Sequence, residues 1–306
     1  MQNSCLVASS GDLIKGTTSF QQVAAAVNIE TIDPTENAPS TVHVIRELGK
    51  GRAATARLVD ARFEDGSSIR CVEKVFNPGW LTRTIYRIAF FAPFAYQFNR
   101  NAIIACFFRR RVAAKILRDS DADVDVAAPL YVRFDPAAPG WVLAAEHIDG
   151  RGVRPQRRGE NHSEMDQLVA VMRQARDVLI DAGLSGSGWQ IDPRAMVSTA
   201  NLLRRDGRFT IIDLESGIPA ILVPKYLMLA AHTGNLIPFD DLDAVALKSK
   251  IPDDDDVNSL IDHAARWKDS EPALFRIGTW RQLVAQARRR IRRSSRAAWR
   301  LLTQPR

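Results

Sequence analysis

Residues 42–76 read VHVIRELGKGRAATARLVDARFEDGSSIRCVEKVF. Three runs rich in apolar and β-branched residues, at 42–48, 54–63 and 68–76, are separated by a glycine turn and by Glu64-Asp65-Gly66. Short runs bounded by Gly and Asp predict three antiparallel strands joined by tight turns. Downstream, NAIIACFFRRRVAAKILR at 101–118 has helical spacing, and 128–134 and 140–147 are apolar strand candidates. Together these predict a small sheet carrying one helix. EMDQLVAVMRQARDVLIDA at 164–182 has the spacing of a core helix and stops at Gly183, a fitting C-cap. NLLRRDGRFTIIDLESG at 201–217 then reads as strand, Asp-Gly hairpin and strand.

The 306 residues are 46% hydrophobic and 25% charged, the balance of a folded soluble protein. Cys5, Cys71 and Cys106 are far apart, odd in number and without histidines at metal spacing. That indicates neither a disulfide framework nor a zinc site and makes a reducing cytoplasm the simplest compartment. The first residues, MQNSCLVASSGDLIKG, lack the basic and apolar regions of a secretory signal. The most apolar region, 85–108, is interrupted by Arg87, Pro93 and Asn99-Arg100-Asn101. No uninterrupted run reaches the roughly 18 to 20 residues that a spanning helix needs.

Residues 1–40 are polar and Ser/Thr-rich, a flexible lead-in. The net charge of +7 belongs to the far end: acids gather at 253–256, whereas no acidic residue follows Glu271. From Trp280 the tail reads WRQLVAQARRRIRRSSRAAWRLL, with an apolar stripe beside an arginine-rich face. Such a helix suits an anionic membrane surface on its inner, cytoplasmic side, and it equally suits packing on the rest of the protein with a solvated basic face. Nucleic acid ranks last, since charge supports it but no recognised fold does.

Three elements carry chemistry. Gly49-Lys50-Gly51-Arg52-Ala53-Ala54 is a G-x-G-x-x-A turn between two strands, where glycines let backbone N–H groups approach phosphate oxygens. Lys74, in Val72-Glu73-Lys74-Val75, sits on the third strand, at the place of a lysine that pairs with α and β phosphates. Asn201 and Asp213, about a dozen residues apart at the ends of paired strands, are an amide oxygen and a carboxylate, the arrangement by which a kinase holds magnesium against phosphates. Each has a bland alternative: a structural turn, an exposed strand lysine and a hairpin with a capping aspartate.

Taken in order, these residues resemble a divergent protein-kinase-like superfamily, the broad group that includes bacterial lipopolysaccharide kinases and ubiquinone-biosynthesis type kinases. The likeness covers roughly 42–219. It implies an α+β, bilobal fold, with a small β-rich lobe at about 41–147, a larger, mainly helical lobe at about 151–250, and an acidic linker and basic helical tail at 251–306. It also implies bound ATP and Mg2+, with Gly49 and Gly51 cradling phosphates, Lys74 pairing with them, and Asn201 and Asp213 holding the metal. Glu146, in Glu146-His147-Ile148-Asp149-Gly150, would mark the nucleotide-binding hinge, and Asp213-Leu214-Glu215-Ser216-Gly217 would replace Asp-Phe-Gly.

Two departures qualify the likeness. No glutamate lies between Lys74 and Glu146, so the helix that should offer the lysine a carboxylate has none. Five residues before Asn201, where such enzymes place the catalytic base, stands Met196; Asp192, nine residues before, is the alternative carboxylate. Losing a base costs about 10² to 10⁴ in rate, whereas phosphoryl transfer depends mainly on positioning and charge. The expectation is an atypical kinase transferring phosphate to an unidentified hydroxyl acceptor, or a pseudokinase that binds or scaffolds a partner without transfer.

Overall fold

A computed structural model describes residues 33–51, 54–89, 95–153, 163–193, 196–214, 244–250 and 255–269. β1 (Thr41–Lys50), β2 (Ala54–Arg62) and β3 (Ser68–Phe76) form the expected antiparallel meander. The Gly51 N–H donates to the Ala54 carbonyl at 2.8 Å, and Gly66, at φ +82, makes the second turn. α1 (Trp80–Ala89) and α2 (Arg100–Arg118) follow, then β4 (Val124–Val126), β5 (Pro129–Asp135) and β6 (Gly140–Glu146). The β5–β6 hairpin docks on β3, so the sheet runs β1-β2-β3-β6-β5. Gly140 permits that docking: a Cβ there would lie 2.8 Å from a Val75 methyl and 2.9 Å from the Phe76 carbonyl oxygen.

Beyond the connector at 147–150 come β7 (Arg151–Gly152), α3 (Ser163–Asp181), α4 (Ser185–Gln190), a 3-10 turn (Met196–Asn201), β8 (Leu202–Arg205) and β9 (Arg208–Ile211), then α5 (Ala244–Lys250) and α6 (Asp255–Asp269). A second sheet, β4-β9-β8-β7, pairs β4 parallel to β9 and is otherwise antiparallel. Asp206 and Gly207, at φ 49 and 85, make the two-residue β8–β9 turn whose twist matches paired strands.

Alternation on β3 divides the apolar residues. Ile69 and Cys71 face Val59, Tyr131 and Ala144, whereas Phe76 joins Val132, Leu143 and α2 in the larger cluster. α2 is buried nearly all round, including Ile103, Ile104, Phe107, Phe108, Val112 and Leu117. A helix covered on every side shows only weak amphipathic periodicity.

One cover for α2 is α6, whose Val257, Leu260, Ile261 and Ala264, at helical spacing, are buried in the same cluster. Phe108 meets His263 at 5.2 Å between ring centroids, and Arg100 lies 5.1 Å from the Trp267 ring, so the two helices run antiparallel. Part of the stretch read as an acidic linker therefore belongs to a core helix: Asp255 and Asp256 occupy the first turn of α6, where carboxylates complement the helix dipole. The aromatic stretch at 90–94 and the basic stretch from 280 lie outside the described residues. Among the described residues no helix is long and apolar enough to cross a membrane.

Candidate functional site

Lys74 is the residue from which the site is built. On β3 it pairs with Ala56 of β2 and Leu143 of β6, and Ala56 pairs in turn with Gly49 of β1, so Gly49, Ala56, Lys74 and Leu143 lie in one line across the sheet. At the strand spacing of about 4.8 Å, Gly49 is roughly 10 Å from Lys74 along that line. The lysine Nζ lies 2.7 Å from the Asp213 Oδ2, and the two side chains are 22% and 26% exposed. A carboxylate absent from the neighbouring helix is thus supplied from the chain just beyond β9.

Asp213 is placed by two anchors. The Ile212 N–H donates to the Asn201 carbonyl at 2.8 Å, continuing the β8–β9 ladder by one step and bringing Asn201 alongside this segment. From the other side, the buried Arg110 of α2 donates its Nη2 to the Ile212 carbonyl at 3.2 Å. In the sequence Arg110 is one of three consecutive arginines in an apolar helix, and nothing distinguishes it as the link between that helix and the site.

The Asn201 side chain donates its Nδ2 to the Gln190 carbonyl at 3.0 Å and so braces the loop that carries Asp192. Asp192 is buried, with its Oδ1 3.5 Å from Nη1 of Arg176 on α3. Met196 opens the 3-10 turn that ends at Asn201. Asn201 and Asp213 together offer an amide oxygen and a carboxylate. Such hard donors suit a small cation that keeps water or phosphate oxygens as its remaining ligands. Among the described residues, no group of three or more His, Cys, Asp or Glu side chains could hold a metal by itself.

Glu146 is placed differently. It pairs with Cys71, whereas Leu143 pairs with Lys74, so alternation puts the Glu146 side chain on the opposite side of the sheet from Lys74. It lines a cavity of about 400 Å³ between α2, β4 and the β8–β9 hairpin. Burial raises its carboxyl above the ordinary range. Gly51 closes the β1–β2 turn, and a Cβ on Gly49 would have nothing within 4 Å, which leaves open space for a ligand on that strand.

One residue that the sequence did not single out is Glu73, the neighbour of Lys74. Its carboxylate, inaccessible to solvent, accepts from Arg133 Nε at 2.6 Å, from Arg57 Nη2 at 2.6 Å and from the Tyr131 hydroxyl at 2.9 Å. Arg57 also meets Asp135 at 2.5 Å, which makes two acids and two guanidiniums a closed set. Burial alone would raise the Glu73 carboxyl, but the two guanidiniums hold it below the usual carboxylate range. Burial pushes the adjacent Cys71 thiol up to about 12, so it is an inert core thiol. No protein-family model matches this chain, and no curated protein matches it.

Proposed function

We propose that the chain is a divergent, bilobal protein-kinase-like protein that binds ATP with Mg2+ between its two sheets. The observation that carries this reading is the 2.7 Å pair between Lys74 and Asp213, in line across the sheet with Gly49. It joins residues 139 positions apart in sequence, each picked for a phosphate or metal role on separate grounds. In this assignment Lys74 neutralises phosphate oxygens, Gly49 and Gly51 leave room for them beside the backbone, and Asp213 and Asn201 hold the cation. Bound Mg2+ would supply charge neutralisation at the phosphates. Asp213 then has two tasks: orienting the lysine while a ligand is absent and holding the cation when nucleotide arrives. A hydroxyl acceptor would take the γ-phosphoryl group.

Thermal unfolding with ATP, with and without Mg2+, tests the site. Stabilisation that requires Mg2+ and is lost in both Lys74→Ala and Asp213→Ala is expected; at 100 times Kd it amounts to about 2.7 kcal/mol. An unchanged midpoint at millimolar ATP would overturn the nucleotide site.

A second reading, a pseudokinase that keeps the fold and serves as a binding or scaffolding module, is favoured by the state of Asp192. Its carboxylate is buried with Oδ1 3.5 Å from the Arg176 guanidinium, so it is held in an ion pair rather than presented to an acceptor. Met196→Asp separates the two readings, because phosphoryl transfer gained by that variant would identify the position as a vacated base site. Peripheral docking on an anionic membrane belongs to the same proposal, and its arginine-rich segment lies outside the described residues.

A further inference from the structure

The cavity that Glu146 lines is bounded by α2, β4, the connector and the β8–β9 hairpin and is lined by neither member of the Lys74–Asp213 pair. Its floor is apolar, from Ala114 of α2, Val124 and Val126 of β4, and Ile148 of the connector. Its volume, about 400 Å³, falls within the roughly 300–1,000 Å³ range of small-molecule pockets. Charged groups ring this floor, and most are already matched. Arg208 meets Asp123 at 3.1 Å and Asp125 at 3.6 Å, and Arg205 meets Asp206 at 3.3 Å.

Two opposite charges on the lining are left over. Among the described residues the Glu146 carboxylate accepts only a long 3.5 Å hydrogen bond from the Ala128 N–H, and Arg205 and Arg110 act on it through space without an ion pair to either. Arg118, exposed at the end of α2, makes no hydrogen bond or ion pair among them. These two do not satisfy each other, since no ion pair joins them within 4.0 Å. A half-buried carboxylate short of donors is a costly arrangement unless a cation completes it.

We propose that this cavity is a second ligand site, for a small zwitterion that presents a protonated amine to Glu146 and a carboxylate or phosphate to Arg118, with its body on the apolar floor. An ammonium would replace the donors that Glu146 lacks, and a planar guanidinium suits a two-oxygen anion. Because no ion pair within 4.0 Å joins the two charges, a molecule that carries both an amine and an anion is favoured over a bare amine or anion. Its position behind the connector, touching α2 and the β8–β9 hairpin, would let occupancy bear on the elements that place Asp213. The proposal does not depend on nucleotide binding at Lys74.

The test is thermal unfolding of the full chain in about 10 mM of each common L-amino acid and of O-phosphoethanolamine, with ethylamine, acetate and inorganic phosphate as single-charge controls. Any compound that shifts the midpoint is then titrated calorimetrically. At least one zwitterion is expected to bind, at least about tenfold more tightly than the single-charge controls. Glu146→Gln and Arg118→Ala should each weaken it by at least about tenfold, whereas Lys74→Ala should leave it unchanged. Arg118 is exposed and unbonded, so its variant folds normally and keeps the test decisive even if Glu146→Gln is unstable. The carboxylate and phosphate members of the panel distinguish the two kinds of anionic end. Absence of binding by every zwitterion, equal binding by the single-charge controls, or binding that survives in the Arg118 variant would each overturn the proposal.

Discussion

Glu73 and Lys74 are consecutive residues of β3, yet their side chains enter opposite sides of the sheet and meet opposite treatment. On one side the charges gathered around Glu73 are answered: Glu73 has two guanidiniums and a phenol, and Asp135 completes the set. On the other, Lys74 has an aspartate across a partly exposed gap that a ligand can enter. A saturated, desolvated set fixes the register of three strands. A half-open pair leaves charge available at a position that the register has fixed. The strand thus separates holding from binding by the period-2 alternation of its own backbone.

The comparison breaks first, and most visibly, at Glu73. Glu73→Ala leaves the partly buried Arg57 and Arg133 with Asp135 as their shared carboxylate and is expected to cost up to about 3 kcal/mol, read from the urea midpoint. Glu73 also has an acid limb. Because its folded-state carboxyl titrates below the ordinary 4.5, its contribution is present above that pH and disappears as pH falls through the lowered value. Glu73→Gln should therefore flatten the acid end of the stability curve.

Gly140→Ala is next. With Val75 and Phe76 atoms inside 3.0 Å of the new methyl, the β3–β6 pairing must shift, at an expected cost of about 1–3 kcal/mol. Gly49→Ala, on the same sheet but facing open space, should stay within about 0.5 kcal/mol and lower only the ATP-dependent shift. A loss of stability there equal to that of Gly140→Ala would mean that Gly49 is a packing residue. Lys74→Met sharpens the contrast, since removing half of a partly exposed pair is expected to change stability by no more than about 1 kcal/mol while abolishing any nucleotide response.

The smallest effect is expected at His263, whose Nδ1 is buried without a hydrogen-bond partner among the described residues. Burial, followed by Arg266 and Arg111, lowers its titration below 6.5. The neutral form is the folded form, so its contribution is complete above about pH 6.5 and declines as pH falls toward the lowered value. His263→Phe keeps the ring against Phe108 and should remove that slope, visible as a smaller difference between melting midpoints at about pH 5.5 and 7.5.

What the sequence made legible was local. β1 to β3, the β5–β6 hairpin, α3 with its glycine stop and the Asp206-Gly207 turn all follow from periodicity and turn chemistry acting within a few residues. Lys74, Asn201 and Asp213 could be picked because strand position and spacing are local as well. The partners were not legible. That Asp213, rather than a helix carboxylate, meets the lysine depends on how two sheets approach one another, and so does the grip of Arg110 on the Ile212 carbonyl. Glu73 in the sequence is one acid among 35 Asp and Glu residues; only pairing with β2 and β5 makes it the centre of a buried set. Glu146 shows the same limit from the other direction. Its place at the end of β6 was readable, but the side of the sheet it faces was decided by register.

The antiparallel seating of α6 on α2 also has a meaning in time. During synthesis, Ile103, Phe107 and Phe108 leave the ribosome roughly 150 residues before Val257, Leu260 and Ile261, the groups that cover them. At about 5–20 residues per second this is an interval on the order of ten seconds. Throughout it this deeply buried helix lacks one wall of its core. The sheet can form early, but the larger cluster closes only once α6 has emerged, so the covering of α2 is a late step of folding during synthesis.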